Sequence, residues 1–570
     1  MKIPNRGTVH RGRDFAPPGL GSWELDLPHF SRAASPIVAQ NFIDHFSPGF
    51  AEGTRLYGVL LDRIEYQKVN GFLYLALRGV GAPKGATAPP PRLVFKLLTL
   101  LHPELRRRIR TATRVLEGRF WLQDMEHWDR ETKPAATRKH LALQQVNLAS
   151  LSVPDLIAHL QAAHLNSQEA LYRHGRFTLT SAVPVGLYLD KACDWTGLHV
   201  HALLPAVTGY NDIAVGLAEK ELDEVGRAYQ DTLGAPSLDD DPASVLAALQ
   251  RDEGRLGRAV RAWVEWVGYR LVTGYDLTEL TALEMPDTLV GALKSRLTEK
   301  RRTHTQEKLA NDIAKVRDQV PSPNRDEFDQ LLHDAQLTSR IREERAHFND
   351  GWANGVLRHG LLEAGRRLAA DGVIHRADLV LDASMEEICQ LLAGRPAATS
   401  DQLQDRRDWR LTVKAEDVPA LLGPPPSPPP PSEWLPQDAA RLARAMDFFL
   451  DAVFTATKEE SSASVVRGLP VSRGVYEGTA RIVLGPQDFS KLKQGDVLVT
   501  RSTSPYFNLA LPLLGAIVTD RGGALSHAAI VAREYGIPAV VGTKVATTQI
   551  RDGQQVRVDG DAGTVEVLKA

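Results

Sequence analysis

The feature that most constrains the fold is a run of prolines late in the chain. Seven of the eight residues that follow Gly423 are proline. Proline lacks an amide hydrogen and has a fixed φ, so such a run cannot join the interior of a helix or a sheet. It favours an extended polyproline II spacer, which rises about 3.1 Å per residue and reaches on the order of 25 Å here. Residues 423–433 are therefore predicted to form a linker between domains.

The sequence before the linker has the periodicity of amphipathic helices. Apolar residues recur every three to four positions, and charged residues occupy the opposite faces. Residues 55–79 mix strand-like alternation with helix-forming residues, and the pattern does not decide between the two. We predict a basic tail over residues 1–21 and a large, mainly helical domain over residues 22–422. The segments with helical spacing are Leu151–Tyr172, Ala214–Leu233, Ser244–Val272, Met285–Arg317, Asn324–Asp350 and Trp352–Asp371.

Beyond the linker the pattern changes from helical to α/β. Trp434–Phe454 has the spacing of an amphipathic helix, which we extend to residues 434–457, and the polar, serine-rich stretch that follows predicts a hinge over residues 458–466. Residues 467–570 are then predicted to form a small α/β domain, so the fold class is multidomain, α followed by α/β. The valine-rich segments predicted as its strands are Ala480–Leu484, Asp496–Thr500, Ala516–Thr519, Ala539–Val541, Gln555–Val558 and Thr564–Leu568.

Composition excludes several classes of function. The 570 residues include 68 basic and 70 acidic side chains, which argues against a protein whose main role is to bind nucleic acid or an anionic membrane. Two cysteines, no signal peptide and no long apolar run predict a cytoplasmic protein without a membrane anchor. His199 and His201 have strand-like spacing but no third candidate ligand, so no metal site is predicted.

One segment combines a strand, a glycine turn and a helix. A short apolar strand ends at Thr519, the next turn contains two adjacent glycines, and a serine and a glycine stand where the helix would begin and end. Glycine permits a tight turn, serine is a favoured N-cap and glycine is a favoured C-cap. The residues that give these signals are Gly522, Gly523, Ser526 and Gly536.

This arrangement places His527 in the first turn of the predicted helix. The unpaired N–H groups and the positive end of the helix dipole there disfavour an imidazolium, so the ring would stay nucleophilic near neutral pH. The same groups would stabilise a phosphoryl group attached to the ring. Arg533 could support that phosphoryl group, or could pair with Glu534 or solvent. The alternative is that His527 is an ordinary surface histidine at a capped helix start.

The segment Thr519–Thr543 resembles a known signature. It contains Gly-Gly-x-x-Ser-His-Ala-Ala-Ile-Val-Ala-Arg-Glu-x-Gly-Ile-Pro-Ala-Val-Val-Gly-Thr and resembles the phosphohistidine signature of the swivelling domain of phosphoenolpyruvate-utilising enzymes. Gly468–Gly474, Gly478 and Val497–Pro505 are similar to the start of that domain. The resemblance implies a β/β/α fold in which His527 relays a phosphoryl group from a nucleotide site to a second substrate. It also implies supporting roles for Gly522, Gly523, Ser526 and Arg533.

The helical region is similar to the acceptor domain of one branch of that family, the rifampin phosphotransferases and related two-subunit synthases. The similarity lies in Trp23–His29, in Gly268–Asp276 and in Arg342–Arg345 with the helices that follow. It implies that Arg342 holds the transferring phosphoryl group, with Arg345 beside it; the alternative is a solvated helix face. Tyr269 stands where the family pattern often has histidine. Arg270 and Asp276 are further acceptor-side candidates, or an interior ion pair.

The sequence contains neither a phosphate loop nor an ATP-grasp-like region. The resemblance therefore implies that ATP and Mg²⁺ bind a separate ATP-grasp subunit and that this chain holds no cofactor tightly. The expected function is phosphoryl transfer to the hydroxyl of a small, apolar or aromatic acceptor, with no nucleic-acid or membrane partner. Two alternatives remain open. One is a ligand-sequestering or regulatory protein controlled by phosphorylation of His527, and the other is an ATP-dependent condensing enzyme that uses the same relay.

Overall fold

The chain divides into two compact units. Unit 1 comprises Met1–Thr180, Tyr275–Thr278 and Phe348–Ala443, and unit 2 comprises Ser181–Gly274, Glu279–His347 and Arg444–Ala570. Most of the predicted hinge over residues 458–466 lies outside the described residues. The computed structural model describes residues 8–10, 12–27, 29–83, 85–207, 218–272, 274–298, 304–454, 461–462, 465–484, 486–503, 507 and 511–568.

Unit 1 is a helical assembly around a large apolar core, with a small sheet that contributes to a second apolar cluster. The core brings together residues from distant parts of the chain, such as Phe42, Leu160 and Leu361. The helices Thr178–Thr196 and Gln437–Phe454 begin in unit 1 and end in unit 2. The other helices of unit 1 are Pro36–Asn41, Ser47–Tyr57, Arg92–Leu101, Pro103–Gly118, Phe120–His127, Lys133–Gln144, Val153–Arg176, Gly351–Ala370, Met385–Leu392 and Ser400–Thr412.

The edge of unit 1 carries a four-stranded antiparallel sheet, and it resolves the undecided stretch 55–79. The helix Ser47–Tyr57 ends at Gly58, and a hairpin follows whose turn, Asn70–Gly71, has positive φ at both residues. An Asn-Gly pair suits the turn that connects two twisted strands. The strands, in their order across the sheet, are Leu61–Val69, Phe72–Gly79, Trp23–Leu25 and Leu421–Leu422. A separate hairpin pairs Thr8–His10 with Arg13–Phe15.

The sheet leads directly into the proline run. Leu421 and Leu422 pair with Glu24 and Trp23, and no helix or strand is assigned to residues 424–431. The Ser427 amide donates to the Thr87 carbonyl, so the run is fastened to unit 1 at that point. The absence of helix and strand over residues 424–431 agrees with the prediction that the proline run cannot join the interior of a helix or a sheet.

Unit 2 contains helices and an eight-stranded sheet, which confirms the predicted α and α/β layout. In the described part of the chain no helix combines the length and the apolar content needed to cross a lipid bilayer. The helices within unit 2 are Val200–Leu203, Glu219–Asp231, Pro242–Arg251, Arg255–Val267, Pro286–Thr298, His304–Gln319, Arg325–Ser339, Ile341–Arg345, His527–Tyr535 and Ala546–Gln549. A π-helical segment, Ala346–Asp350, follows Arg345.

The eight-stranded sheet holds the histidine helix, His527–Tyr535. Four adjacent strands, the fourth to the seventh across the sheet, are parallel, with Val497 opposite Ala480 and Ile517 opposite Ala539. The side chains of Asp496–Thr500 and Ala539–Val541 are buried, as are nearly all of Leu514–Thr519, which is expected for parallel strands covered on both faces. In order across the sheet the strands are Val465–Arg467, Thr564–Val567, Gln555–Asp559, Val475–Val483, Asp496–Thr500, Leu514–Thr519, Ala539–Val541 and Leu469–Ser472.

Two local predictions are wrong. The stretch Ser244–Val272 is not one helix, because Asp252 Oδ1 accepts hydrogen bonds from the amides of Gly254 and Gly257 and so starts a second helix. An aspartate side chain that accepts from the backbone amides that follow it offers those amides an alternative to the hydrogen bonds of a continuous helix. His199 and His201 are not on a strand. His199 precedes a short helix, Val200–Leu203, and its ring stacks on that of His201 with centroids 4.9 Å apart.

Candidate functional site

The loop before the histidine helix is shaped by the two glycines. Gly522 has a φ of +108°, a region that favours glycine, and a Cβ there would lie 2.7 Å from the Cβ of Ser526. Ser526 caps the helix through its hydroxyl, which accepts from the Ala529 amide at 3.4 Å. Gly536 ends the helix in the left-handed conformation. The predicted turn, N-cap and C-cap are all present, so His527 begins the helix.

The same loop is bound to the end of the helix Gln437–Phe454. The amide of Gly523 donates to the Val453 carbonyl at 2.9 Å, and the amide of Leu525 donates to the Ala452 carbonyl, also at 2.9 Å. A Cβ at Gly523 would lie 2.5 Å from the Ala452 oxygen. Position 523 therefore requires glycine because the backbone of another segment approaches too closely for a side chain. Position 522 requires glycine because its φ is positive.

His527 is buried between two polar side chains. Only 5% of its surface is exposed. Its Nδ1 lies 2.9 Å from the Thr503 hydroxyl, and its Nε2 lies 3.6 Å from Oε2 of Glu343. The ring is thus oriented by Thr503 on one side, and its second nitrogen faces a carboxyl group. This geometry excludes the alternative that His527 is an ordinary surface histidine.

The ionisation of the two facing groups is set mainly by burial. Burial, followed by the positive charge of Arg342, lowers the pKa of His527 well below its usual range. Burial raises the pKa of Glu343 to about 7, although the charges of Arg342 and Arg345 oppose that rise. The imidazole of His527 is therefore neutral at physiological pH, and the carboxyl group of Glu343 titrates near physiological pH. A neutral ring with a free electron pair is the nucleophilic form of histidine.

The predicted acceptor-side arginines lie at this site. Arg345 is buried and Arg342 is half-buried, and both act electrostatically on Glu343. The neighbouring Arg340 and Glu344 form an ion pair of 2.7 Å. The helix Ile341–Arg345 is therefore not a solvated face, because two of its arginines act on the carboxyl group that meets His527.

Arg533 binds two backbone carbonyl groups next to the histidine helix, and its support of a phosphoryl group stays a prediction. Its Nε donates to the Val471 carbonyl at 2.7 Å, and its Nη1 donates to the Ala524 carbonyl at 2.8 Å. Burial lowers its pKa to about 9. Arg533 thus connects the histidine helix to a neighbouring strand and to the loop that carries Gly523. It positions the loop through backbone contacts.

The remaining candidates divide between the units. Arg270 and Tyr269 belong to unit 2, where Arg270 is buried and its pKa falls to about 9. Asp276 belongs to unit 1, and its carboxylate accepts from the Ser35 amide at 2.7 Å and from the amide and hydroxyl of Thr278. Asp276 therefore has a structural role in fixing local backbone.

Two residues of the site were missed by sequence reasoning. Glu343 stands within a run of charged residues that predicts a solvated helix face, and only the fold reveals that it is buried against His527. Thr503 lies in a stretch that resembles the family but carries no distinctive local pattern. A signal for Glu343 was its place directly beside Arg342, the residue already singled out.

Comparison with known proteins identifies the domain that carries His527. Residues 492–563 match the family described as PEP-utilising enzyme, mobile domain. An uncharacterised phosphotransferase of Bacillus subtilis is 29% identical over 329 residues, which are 56% of this chain and 37% of that protein. A rifampicin phosphotransferase of Streptomyces sviceus is 28% identical over 415 residues, 66% of this chain and 42% of that protein.

The similarity is strongest towards the carboxyl end. A rifampicin phosphotransferase of Bacillus cereus is 47% identical over 111 residues, which are 20% of this chain and 13% of that protein. The resemblance recognised in Thr519–Thr543 is confirmed. This chain spans well under half the length of these relatives.

Proposed function

We propose that this chain is part of a phosphotransferase that works through a phosphohistidine at His527. The premise is the match of residues 492–563 to the mobile domain of PEP-utilising enzymes. The observation that carries the proposal is the setting of the His527 ring. It is neutral, it is held at Nδ1 by Thr503, and its Nε2 faces Glu343 among arginines. A nucleophile, an orienting partner and a titrating carboxyl group are the elements that covalent phosphoryl transfer needs.

In the first half-reaction Nε2 is the nucleophile. With the ring proton on Nδ1 donated to the Thr503 hydroxyl, Nε2 keeps its electron pair. Nε2 attacks the phosphorus of the donor, the N–P bond forms, and the bond from phosphorus to the leaving nucleotide oxygen breaks. His527 is buried in the described conformation, so access to a nucleotide requires that the loop and helix carrying it move away from Glu343.

In the second half-reaction the phosphoryl group passes to a hydroxyl. The acceptor oxygen attacks phosphorus, the N–P bond breaks, and its electron pair returns to Nε2. The proton of the hydroxyl passes to the carboxylate of Glu343, whose pKa of about 7 suits a general base at neutral pH. Arg342 and Arg345 neutralise the charge that develops on the phosphoryl oxygens.

The partner and the acceptor are proposed by chemical class. ATP and Mg²⁺ would bind an ATP-grasp polypeptide separate from this chain. The acceptor would be a small, apolar or aromatic compound with a hydroxyl group. The relatives named rifampicin phosphotransferase support an acceptor of that kind.

The test measures phosphorylation of His527 by two routes. The chain is incubated with Mg²⁺-ATP and a candidate ATP-grasp polypeptide, and separately with phosphoramidate, which phosphorylates histidine without an enzyme. We expect an acid-labile mass increase of about 80 Da, one phosphoryl group, by both routes. With Mg²⁺-ATP and the ATP-grasp polypeptide the His527→Ala variant should show no increase, and the His199→Ala variant, which removes an exposed histidine of the same unit, should behave as the wild type. With phosphoramidate, which also modifies exposed histidines, the phosphoryl group on His527 is located and counted by peptide mapping.

The role of Glu343 is tested on the phosphorylated protein. We expect Glu343→Gln to accept the phosphoryl group and to lose transfer to hydroxyl acceptors by 100-fold or more, on the order of the loss of a general base. An active ATP-grasp polypeptide that leaves His527 unmodified would disprove the relay. Phosphorylation that is never discharged to any hydroxyl compound would favour a regulatory role.

A further inference from the structure

The helix Arg92–Leu101 in unit 1 exposes an apolar face. Five of the fifteen large apolar side chains that are exposed among the described residues lie on this one helix, with exposed fractions between 47% and 82%. Spaced at 3.6 residues per turn, they fall within one third of the helix circumference. We call Leu93, Val94, Leu97, Leu100 and Leu101 the apolar stripe.

The stripe is exposed because the opposite face of the helix is anchored. Phe95 and Thr99 are buried, and the ring of Phe95 lies 5.9 Å from that of Trp434. The helix also contacts Ser432–Trp434, immediately ahead of the helix Gln437–Phe454. Rotation of the helix to bury the stripe would withdraw Phe95 from Trp434, so the exposure is a property of the packed unit.

The stripe lies in the most basic part of unit 1. Residues 92–114 contain seven basic side chains and one acidic one, Glu104, whereas the whole chain has a net charge of −2. Arg92 and Lys96 are exposed on the helix of the stripe, and of the five others, which lie on the next helix, only Arg108 is buried. Glu104 is already bonded to Arg107 and Arg108. A second copy of this chain would bring like charges together at such a surface. The charge favours an occupant with acidic groups around an apolar centre.

The size of the stripe fits one side of a protein interface. Five leucine and valine side chains at these exposures present on the order of 500 Å² of apolar surface, at the upper end of the patches found on monomers. A standard interface takes about 800 Å² from each partner. The stripe, together with the exposed basic side chains of Arg92 and Lys96 on the same helix, can supply an area of that order. The helix is about 15 Å long, the dimension of a groove between two helices or at a domain edge.

We propose that the apolar stripe is the docking surface for the nucleotide-binding polypeptide, which presents an apolar groove rimmed by aspartate and glutamate. The proposal rests on the proposed function, since it assigns the ATP-grasp partner a place to bind. In two phosphotransferase relatives the region that matches this chain makes up less than half of the protein. In those relatives the matching region therefore works beside further polypeptide. The stripe also lies on the helix that packs against Trp434, at the start of the connection to the histidine domain.

The test compares binding and phosphorylation in one matched set of variants. The stripe variant is Leu97→Glu/Leu100→Glu, and the control is Leu165→Glu, an equally exposed leucine on another helix of unit 1. The dissociation constant for the ATP-grasp polypeptide is measured by isothermal titration calorimetry, and the mass increase at His527 is followed with Mg²⁺-ATP and with phosphoramidate. We expect the stripe variant to bind at least tenfold more weakly, and to need correspondingly more polypeptide for half-maximal phosphorylation.

The outcomes separate the two proposals. Phosphorylation of His527 by phosphoramidate, located by peptide mapping, should be unchanged in the stripe variant, which shows that its histidine site is intact. Equal dissociation constants for the stripe variant and the wild type would overturn the docking surface and leave the relay standing. Binding that depends on the stripe, without phosphorylation of His527, would keep the surface and refute the relay. A wild-type dimer that the stripe variant disperses, or wild type that binds anionic vesicles and no polypeptide, would also overturn the proposal.

Discussion

Substitution of Glu343 by glutamine should stabilise the protein, and more so at high pH. In the folded chain burial raises the pKa of Glu343 from 4.5 to about 7. A carboxyl group whose folded pKa is raised contributes stability that is fully present below the unfolded pKa and is lost as the pH rises through the folded pKa. The wild type therefore loses stability between pH 4.5 and 7, and the Gln variant does not.

The size of this effect follows from the pKa values. One pKa unit corresponds to about 1.4 kcal/mol, so full ionisation of Glu343 costs about 3 kcal/mol. Between pH 5 and pH 8 the free energy of unfolding of Glu343→Gln, relative to the wild type, should rise by about 2–3 kcal/mol. The lowered pKa of His527 affects both proteins alike and cancels in the difference.

Urea unfolding at pH 5 and pH 8, followed by circular dichroism, measures this difference. The control is Glu344→Gln, which removes the partner of Arg340 on the next residue of the same helix. That variant should be destabilised at both pH values, with no gain at pH 8. A stability difference for Glu343→Gln that stays constant with pH, or that falls as the pH rises, would refute the assignment of Glu343 as a buried, titrating carboxyl group.

Three further predictions concern the histidine loop. Thr503→Val, which removes the partner of the ring Nδ1, should slow phosphorylation by about 10- to 100-fold in a mass-spectrometric time course, and Thr503→Ser should restore it. Gly523→Ala should destabilise the fold by about 1–3 kcal/mol in urea unfolding, because its Cβ would collide with the Ala452 carbonyl, whereas Gly118→Ala, which has open space, should not. Transfer from the phosphorylated chain to an acceptor should fall about tenfold per pH unit below pH 7, as Glu343 becomes protonated, and a flat profile from pH 5 to 8 would contradict its role as base.

Local signals made the carrier half of the site predictable. The turn, the N-cap and the C-cap around His527 depend on residues within one short segment, and Gly522, Ser526 and Gly536 each have a conformational requirement that their neighbours do not alter. Six of the eight strands of the last sheet were predictable for a similar reason, since buried strands are short apolar runs between glycines, whereas Val465–Arg467 and Leu469–Ser472 were not predicted.

The rest depended on contacts between distant parts of the chain. Glu343 and its flanking arginines have the composition of a solvated helix face, and their burial follows from packing that periodicity does not describe. The spacing of His199 and His201 fits a strand and a helix turn equally well when only two positions are considered. By contrast, the Asn70–Gly71 turn and the cap at Asp252 were available as local signals and were outweighed by longer apolar patterns.

The two amides that bind the end of the helix Gln437–Phe454 have a consequence for timing. A rotation of the histidine domain about residues 458–466 would have to break the bonds from Gly523 and Leu525 to the Val453 and Ala452 carbonyls. Each such bond contributes about 1 kcal/mol net, so in the proposed relay these two bonds alone would lower the population of a released form about 30-fold. Variants that weaken them would then increase the time that His527 spends away from Glu343.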